Sequence, residues 1–257
     1  MATPLTFVIN LDKSQERLSR ISARLGELEM PFERVAAIYG ADLNERQLKS
    51  VYSESLNAKS YRRPLSRAEV GCYMSHLKAW QTIVDRELAC ALIIEDDLVI
   101  DAELKGFIES LSHSTGSWDI VKFYCRKKNP KIISRTAIDS RHDLCRFKKI
   151  PIGNLAQLIT LDGAKKLLAA RQPFGRPADD DIQHWWEADL NVLGVFPPVV
   201  HVIPNAKSDI EQQGLRKEKR KSFRPWHGAF LRAKYEYRLR TTLQKTPLPI
   251  LVGEPKP

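Results

Sequence analysis

The sequence predicts an α/β fold in which helices flank a mainly parallel sheet. Short apolar segments of strand type, such as residues 5–11 and 89–94, alternate with segments whose apolar residues recur at helical spacing. Strands that alternate with helices are typical of parallel sheets. A composition of 43% hydrophobic and 28% charged residues over 257 positions excludes a wholly disordered, collagenous or coiled-coil chain.

The sequence of residues 5–64 predicts two strands and two helices, followed by a polar loop. Residues 5–11 are apolar and β-branched, and Asp12 or Ser14 is expected to cap a helix that runs to about Glu29. The next expected elements are a strand at 34–38, a helix at 43–52 and a polar loop at 57–64.

Ser66 begins the helix with the clearest pattern. Ser66 and Glu69 are spaced as a capping box, in which each side chain bonds the backbone N–H of the other residue. Apolar residues then recur along one side of the helix, at Val70, Tyr73, Met74, Leu77, Trp80 and Val84. The fully apolar strand 89–94 follows and is expected at the centre of the sheet.

The second part of the chain predicts three more strands and three more helices. The strands are expected at 119–124, 154–160 and 199–203, and the helices at 162–171, 178–190 and 225–242. One side of the last helix carries Trp226, Phe230, Ala233 and Tyr237, and basic residues surround the other side.

Positive charge is concentrated near the C-terminus. The net charge is +10, and the segment 214–245 alone holds eleven Lys and Arg residues against two Glu. Such a segment is expected to meet phosphate groups, on an anionic membrane, a nucleic acid or a phosphorylated substrate, or else to face water.

Nothing in the sequence predicts secretion or a membrane span. No apolar run approaches the ~20 residues that a spanning helix needs, and the first ten residues lack the positive start of a signal peptide. The four cysteines form no CxxC pair. We therefore expect reduced thiols and a cytoplasmic location rather than disulfides or a zinc site.

Three adjacent acids, Glu95, Asp96 and Asp97, follow the central strand. Ligands bind α/β sheets beyond the carboxyl ends of the strands, and a divalent cation relieves the repulsion between clustered carboxylates. Oxygen ligands favour Mg²⁺ or Mn²⁺, which bind diphosphate. In an extended segment Glu95 and Asp97 point to one side and Asp96 to the other. An acidic turn, or a hydrolytic or phosphoryl-transfer site, would show the same residues.

Several common catalytic motifs are missing from the sequence. It contains no Walker P-loop, GxGxxG, HExxH or GxSxG. The acids are therefore expected to form a metal–diphosphate site without a glycine-rich loop.

Five segments carry a resemblance to a known family. In order they are VINLDKSQERL (8–18), VAAIYGADL (35–43), LSRAEVGCYMSHLKAW (65–80), ALIIEDDLVI (91–100) and LITLDGAKKLL (158–168). Together they resemble glycosyltransferase family 25, the bacterial lipopolysaccharide and lipooligosaccharide galactosyltransferases, which are related to collagen galactosyltransferases. The resemblance covers roughly residues 5–210, and EVGCYMSH and IIEDD are its specific parts. Gln157 departs from the usual Tyr, which leaves the donor sugar open, and Ala68 replaces the usual Gly.

The resemblance implies a fold, a donor and a cofactor. The fold is a GT-A-like, Rossmann-like domain over 1–213, with a nucleotide-sugar half at about 1–125 and an acceptor half at about 126–213. A basic, partly helical tail follows at 214–257. The implied donor is a UDP-sugar, most often UDP-galactose, and the implied cofactor is Mn²⁺ or Mg²⁺.

The resemblance also implies residues at the donor. Asp97 would ligate the metal with Glu95, and Asp96 would lie near the ribose or a metal-bound water. Asn10 and Leu11 would lie beside uridine, with Arg17 close to the diphosphate.

Three residues match the family's helix, namely Glu69, Ser75 and His76. His76 would hold a phosphate or a sugar hydroxyl, or else play a structural part. Glu69 has its capping role in either case.

An acidic run, 179–181, supplies the candidate base. Asp179 matches the Pro-x-Asp of the family, and Asp181 is second. Successive residues at a helix start point ~100° apart, so only one carboxylate is expected to take the acceptor hydroxyl's proton during inverting transfer. Acids favoured by the helix dipole would produce the same run.

Two interpretations of the basic tail are compatible. It would hold a cytoplasmic transferase at the anionic inner membrane, where lipid-linked glycans are found. In the second interpretation, Arg216, Lys219 or Arg220 would close as a lid over the diphosphate of the leaving UDP. Nucleic acid is not expected, because no RNP, helix-turn-helix or finger motif is present.

The sequence therefore predicts a metal-dependent transferase. It would move a hexose, with galactose as the first candidate, from a UDP-sugar to a lipopolysaccharide-type glycan with inversion, in the cytoplasm or at the inner face of its membrane. The alternatives are a transferase with another nucleotide-sugar donor, and an inactive module of the same fold that binds phosphate or membranes.

Overall fold

The computed structural model describes residues 3–203, 225–242 and 247–251. The strands in this part of the chain are β1 (Thr6–Asn10), β2 (Phe32–Ala36), β3 (Cys90–Glu95), β4 (Leu98–Ile100), β5 (Ile120–Lys122), β6 (Ile132–Ala137), β7 (Asp143–Phe147), β8 (Ala156–Thr160), β9 (Val192–Phe196) and β10 (Val200–Val202). The α-helices are α1 (Gln15–Glu27), α2 (Glu45–Val51), α3 (Glu54–Ser60), α4 (Arg67–Asp85), α5 (Leu104–Ser112), α6 (Leu161–Ala170), α7 (Ala178–Ile182) and α8 (Pro225–Thr241).

Eight strands form one mixed sheet in the order β2-β1-β3-β8-β5-β9-β7-β6, and β4 pairs separately with β10. Six of the eight strands run in one direction, whereas β8 and β7 run against them. This arrangement confirms the predicted α/β class with a mainly parallel sheet. Strands from both predicted halves of 1–213 share this sheet, and the division near residue 125 stays a prediction.

An apolar core covers each face of the sheet. Phe7 and Ile9 of β1 pack into the core that contains the apolar residues of α4 and α6. Val8, which points the other way, packs with residues of α1 and α5. The period-two alternation of a strand therefore divides a continuous apolar run between two cores.

The capping box predicted for α4 is present. The Ser66 hydroxyl accepts from the Glu69 N–H at 3.2 Å, and a Glu69 carboxylate oxygen accepts from the Ser66 N–H at 2.9 Å. At Gly71 a Cβ would lie 2.5 Å from the Ile38 carbonyl oxygen, so glycine lets α4 approach the loop after β2. This approach brings α4 to the carboxyl end of β3.

Two predictions about individual elements were wrong, and other elements were missed. Residues 57–64 were expected as a loop, but α3 occupies this region up to Ser60 because the Ser53 hydroxyl caps it. The helix expected at 178–190 stops at Ile182, and a short 3₁₀ turn follows at Trp185–Glu187. The missed elements are β4, α5, β6, β7 and β9, and the pairing of β9 with β5 and β7 shows that such strands depend on segments distant in the chain.

Candidate functional site

The three acids at the end of β3, Glu95, Asp96 and Asp97, line a cavity at the carboxyl end of the sheet, which we call the first cavity. β3 lies between β1 and β8, as expected for a central strand. The structure brings most of the predicted donor residues to this cavity, namely Leu11, Arg17, Ser75, His76, Glu95, Asp96 and Asp97. The residues that the resemblance selected from three distant segments are therefore neighbours in space.

Asp96 is held by two residues from the first strand and helix. Asn10 donates from Nδ2 to Asp96 Oδ2 at 2.6 Å, and Arg17 Nη1 lies 3.5 Å from Asp96 Oδ1. Burial raises the pKa of Asp96 above its ordinary value. Asn10 is itself buried and does not line the cavity, because its side chain is turned to Asp96. These contacts make Asp96 and Asn10 supports of the cavity wall.

Asp97 has an unsatisfied carboxylate oxygen. Oδ1 is buried and has no hydrogen-bond partner among the described residues. Burial raises the pKa of Asp97 to about 6, and the charges of Glu95 and Asp96 add to the shift. A divalent cation would satisfy this oxygen and neutralise the crowded carboxylates, so the residues present fit the implied metal.

Glu95 points towards α4. Its Oε1 lies 3.3 Å from His76 Nε2, and Cys72, one turn earlier on the helix, places its sulfur within 4.8 Å of both groups. Ser75 serves packing, because its hydroxyl accepts from the Ile38 N–H and donates to the Gly71 carbonyl. The carboxylate of Glu95 is therefore fixed by the helix beside it.

A second, larger cavity adjoins the first. Cys72 and Glu95 are the two described residues that line both cavities. Glu69, which the resemblance placed at the donor, lines the second cavity and not the first, and both of its oxygens accept from the Arg63 guanidinium at 2.6 and 2.8 Å. Glu69 therefore fixes Arg63 in the wall of the second cavity.

The acids of α7 differ in what they contact. Asp179 and Asp180 line the second cavity, and burial together with the charge of Asp179 raises the pKa of Asp180 to about 6. Asp181 does not line it. Its oxygens accept from the Tyr73 hydroxyl at 2.6 Å and from Arg176 Nε at 2.8 Å. Of the two predicted bases, the structure brings only Asp179 to the cavity.

Helix α8 closes one side of the second cavity. Tyr235 is buried against His184 and Trp186, and Lys149 Nζ lies 4.7 Å from the centre of its ring. On the opposite side of the helix, large aromatic residues are exposed, at Trp226, Phe230 and Tyr237. The predicted lid residues, which are Arg216, Lys219 and Arg220, lie outside the described residues.

Sequence reasoning missed three polar residues near the second cavity. Asp180 was passed over in favour of its neighbours, and Asn154, which also lines the cavity, was taken only as the start of a strand. Lys122 is buried in the sheet, and this burial lowers its pKa to about 8. A single lysine inside the apolar segment 119–124 was a signal for it, because lysine is rarely buried without a partner.

Comparison with known proteins supports the resemblance. The family described as "Glycosyltransferase family 25 (LPS biosynthesis protein)" matches residues 3–182. Procollagen galactosyltransferase 2 of Homo sapiens is 32% identical over 185 residues, which are 68% of this chain and 29% of that protein. Procollagen galactosyltransferase 1-A of Xenopus laevis is 32% identical over 217 residues, which are 76% of this chain and 35% of that protein.

Other similar proteins limit what these matches imply. The inactive glycosyltransferase 25 family member 3 of Homo sapiens is 30% identical over 215 residues, or 74% of this chain and 35% of that protein. The chain thus spans about a third of the length of these relatives. A solved glycosyltransferase involved in glycosylation of the major capsid of PBCV-1 has a TM-score of 0.42 at 7% identity, covering 83% of this chain and 99% of that one. That likeness is too distant to carry an argument.

Proposed function

The chain belongs to glycosyltransferase family 25, and from this we propose that it transfers a hexose from a UDP-sugar to a glycan acceptor. Galactose is the first candidate for the hexose, because two of the similar proteins described above are galactosyltransferases by name. The proposed acceptor is a lipopolysaccharide-type or other lipid-linked glycan, in line with the family's description.

The junction of the two cavities is the observation that carries this proposal. A transferase must hold donor and acceptor side by side, with the reacting bond between them. The first cavity presents the acids after β3, the second presents Asp179 and Asp180, and Glu95 borders both. The nucleotide diphosphate would occupy the first cavity and the acceptor the second.

Asp97 and Glu95 are the proposed holders of Mn²⁺ or Mg²⁺. The unpartnered oxygen of Asp97 supports this choice. When bound, such a cation neutralises charge on the departing diphosphate. Arg17, which lines the same cavity, would add a positive charge near the phosphates. Asp96 would act indirectly, because Asn10 and Arg17 already hold it.

Asp179 is the proposed general base. It would accept the proton of the acceptor hydroxyl while that oxygen attacks the anomeric carbon from the side opposite UDP, which inverts the configuration. Asp180 is the neighbouring alternative, since its raised pKa lies closer to the working range of a base.

Helix α8 is proposed to bring the enzyme to its lipid-linked acceptor. Exposed Trp226, Phe230 and Tyr237 form an aromatic stripe, with Lys234 and Arg240 among the exposed residues of the same helix. Aromatic and basic residues together suit the interface of an anionic membrane. No helix among the described residues is long and apolar enough to cross a bilayer. The proposed location is the inner face of the cytoplasmic membrane.

The test measures UDP release from a panel of UDP-hexoses, with and without Mn²⁺, in the presence of glycan acceptors. We expect metal-dependent release with UDP-galactose. We also expect Asp97→Asn to weaken Mn²⁺-dependent UDP binding at least tenfold, because a charged ligand is lost. Asp101→Asn is the matched control, since Asp101 pairs with His201 outside both cavities.

Two results would contradict the proposal. Equal Mn²⁺-dependent UDP binding by wild type and Asp97→Asn would refute the metal site. UDP binding without turnover of any UDP-sugar would favour the inactive module, a state that some relatives have by name.

A further inference from the structure

Three buried polar side chains lie at the second cavity, with Asn154 in its wall and Lys122 and Gln157 behind it. Lys122 is 1% exposed, Gln157 0% and Asn154 4%. Lys122 and Gln157 are directly opposite each other on β5 and β8. Burying polar groups in an apolar sheet costs free energy, and these residues play no part in the fold's capping or ion pairs described above. Their burial therefore points to a role at the site.

The contacts within this cluster orient the amide of Asn154. Lys122 Nζ lies 3.5 Å from the side-chain oxygen Oδ1 of Asn154, and Gln157 Nε2 donates to the backbone carbonyl oxygen of Asn154 at 3.3 Å. An ammonium group donates and never accepts, so the oxygen of the amide must point to Lys122. The amide nitrogen Nδ2 of Asn154 therefore points away from Lys122, and it is buried without a hydrogen-bond partner among the described residues.

The neighbours of Asn154 hold it beside Glu95. The N–H of Glu95 donates to the carbonyl oxygen of Leu155 at 2.9 Å. Gly153 has φ +97°, and a Cβ there would lie 2.8 Å from the Tyr124 ring, so this position requires glycine. Asn154 lines the second cavity together with Asp179 and Glu95. It thus stands in the wall of the second cavity, near Glu95, which borders both cavities.

We propose that Asn154 donates a hydrogen bond from Nδ2 to a hydroxyl oxygen of the hexose being transferred, and that Lys122 and Gln157 position it. Asn154 is the contact residue in this assignment, and the other two act through it. The inference rests on the proposed function, because it names a contact to the sugar of the UDP-hexose donor. It makes Asn154 a determinant of which hexose is accepted.

Asn154→Asp tests the contact with the smallest possible change. The variant keeps the oxygen next to Lys122 and replaces only the donating nitrogen. We expect kcat/KM for UDP-galactose to fall about tenfold or more, while the affinity for UDP itself changes less than about twofold. Asn44→Asp is the matched control, because Asn44 caps α2 through its oxygen and lies outside both cavities.

Monodeoxy analogues of UDP-galactose identify the hydroxyl. One analogue should react more slowly than UDP-galactose with wild type, and Asn154→Asp should cause no further loss with that analogue. The proposal would be overturned if Asn154→Asp lowered kcat/KM by the same factor for every analogue and weakened the binding of UDP itself by that factor. It would also be overturned if the variant changed only the KM of the acceptor.

Lys122→Met tests whether the lysine acts through Asn154. Lys122→Met together with Asn154→Ala should lower kcat/KM no more than Asn154→Ala alone, since residues that act as a unit are not additive. Fully additive losses would overturn the positioning role.

Binding measurements keep this inference separate from the proposed function. If wild type binds UDP-galactose without turning it over, the proposed reaction fails. The contact is then judged by whether Asn154→Asp removes the difference in affinity between UDP-galactose and UDP. The proposed contact would be overturned if wild type bound UDP-galactose and UDP equally well, or if Asn154→Asp left their difference in affinity unchanged.

Discussion

Asn10 Nδ2 donates a hydrogen bond of 2.6 Å to Asp96 Oδ2, and this bond joins the end of β1 to the acidic segment after β3. Both residues are buried, and Arg34 Nε donates to Asn10 Oδ1 at 2.9 Å. The amide of Asn10 thus bridges a guanidinium and a carboxylate, which only a side chain with both a donor and an acceptor can do.

Replacement of Asn10 by Asp should destabilise the protein. The new carboxylate would face Asp96 with no N–H to donate between them, so charge repulsion or the uptake of a proton should lower the free energy of unfolding by about 2 kcal/mol at pH 7. Urea denaturation measures the change, with Asn44→Asp as a control that keeps its cap. An unchanged midpoint in Asn10→Asp would show that Arg34 compensates fully.

Asp180 should make stability depend on pH. Its pKa is raised from 3.8 to about 6, so folding disfavours the ionised carboxylate. The ionised carboxylate lowers the free energy of unfolding in full above pH 6, and this loss disappears as pH falls through 6 towards 4. We expect Asp180→Asn to stabilise the protein by about 1 kcal/mol at pH 7 and by less at pH 5.

The control for this measurement is Asp85→Asn, an exposed acid that accepts from Gln81. Because this side chain is exposed, we expect the free energy of unfolding to change little at either pH. A gain for Asp180→Asn that was equal at both pH values would rule out titration as its source.

Asp181 should matter for stability and not for chemistry. Removing its charge leaves Arg171 and Arg176 partly uncompensated in a buried cluster, which typically costs about 3 kcal/mol. Asp181→Asn should therefore unfold at a lower denaturant concentration than wild type. Asp179→Asn, by contrast, should fold normally, and its kcat should fall at least about a hundredfold. A stable but inactive Asp181→Asn would reinstate Asp181 as the base.

The aromatic stripe of α8 should govern membrane binding. Trp226→Ser combined with Phe230→Ser removes two exposed rings, so partition onto anionic vesicles should fall about tenfold while turnover of a soluble acceptor is retained. Sedimentation with vesicles measures this, and Ile133→Ser, an exposed apolar residue on β6, is the control. Equal binding by both variants would refute the membrane role. Point substitutions are preferable to deleting the tail, because Tyr235 of the same helix lines the second cavity.

The sequence by itself determined the local features of this protein. The capping box of Ser66 and Glu69, the apolar central strand and the acids at its end are all visible in short segments, because caps, periodicity and strand ends depend on neighbours within a few residues. The segments of the family resemblance likewise lie in continuous stretches, and most of the donor residues that they implied line one cavity.

Only the tertiary structure decided which of these side chains line a cavity and which are buried against other residues. The family resemblance ranked Asp179 ahead of Asp181, but only the structure places Asp179 in a cavity wall and encloses Asp181 between Tyr73 and Arg176. The role of Lys122 depends on β8, which places Asn154 and Gln157 beside it. The physical reason is that burial and pairing are set by residues distant in the chain, which no spacing along the sequence encodes.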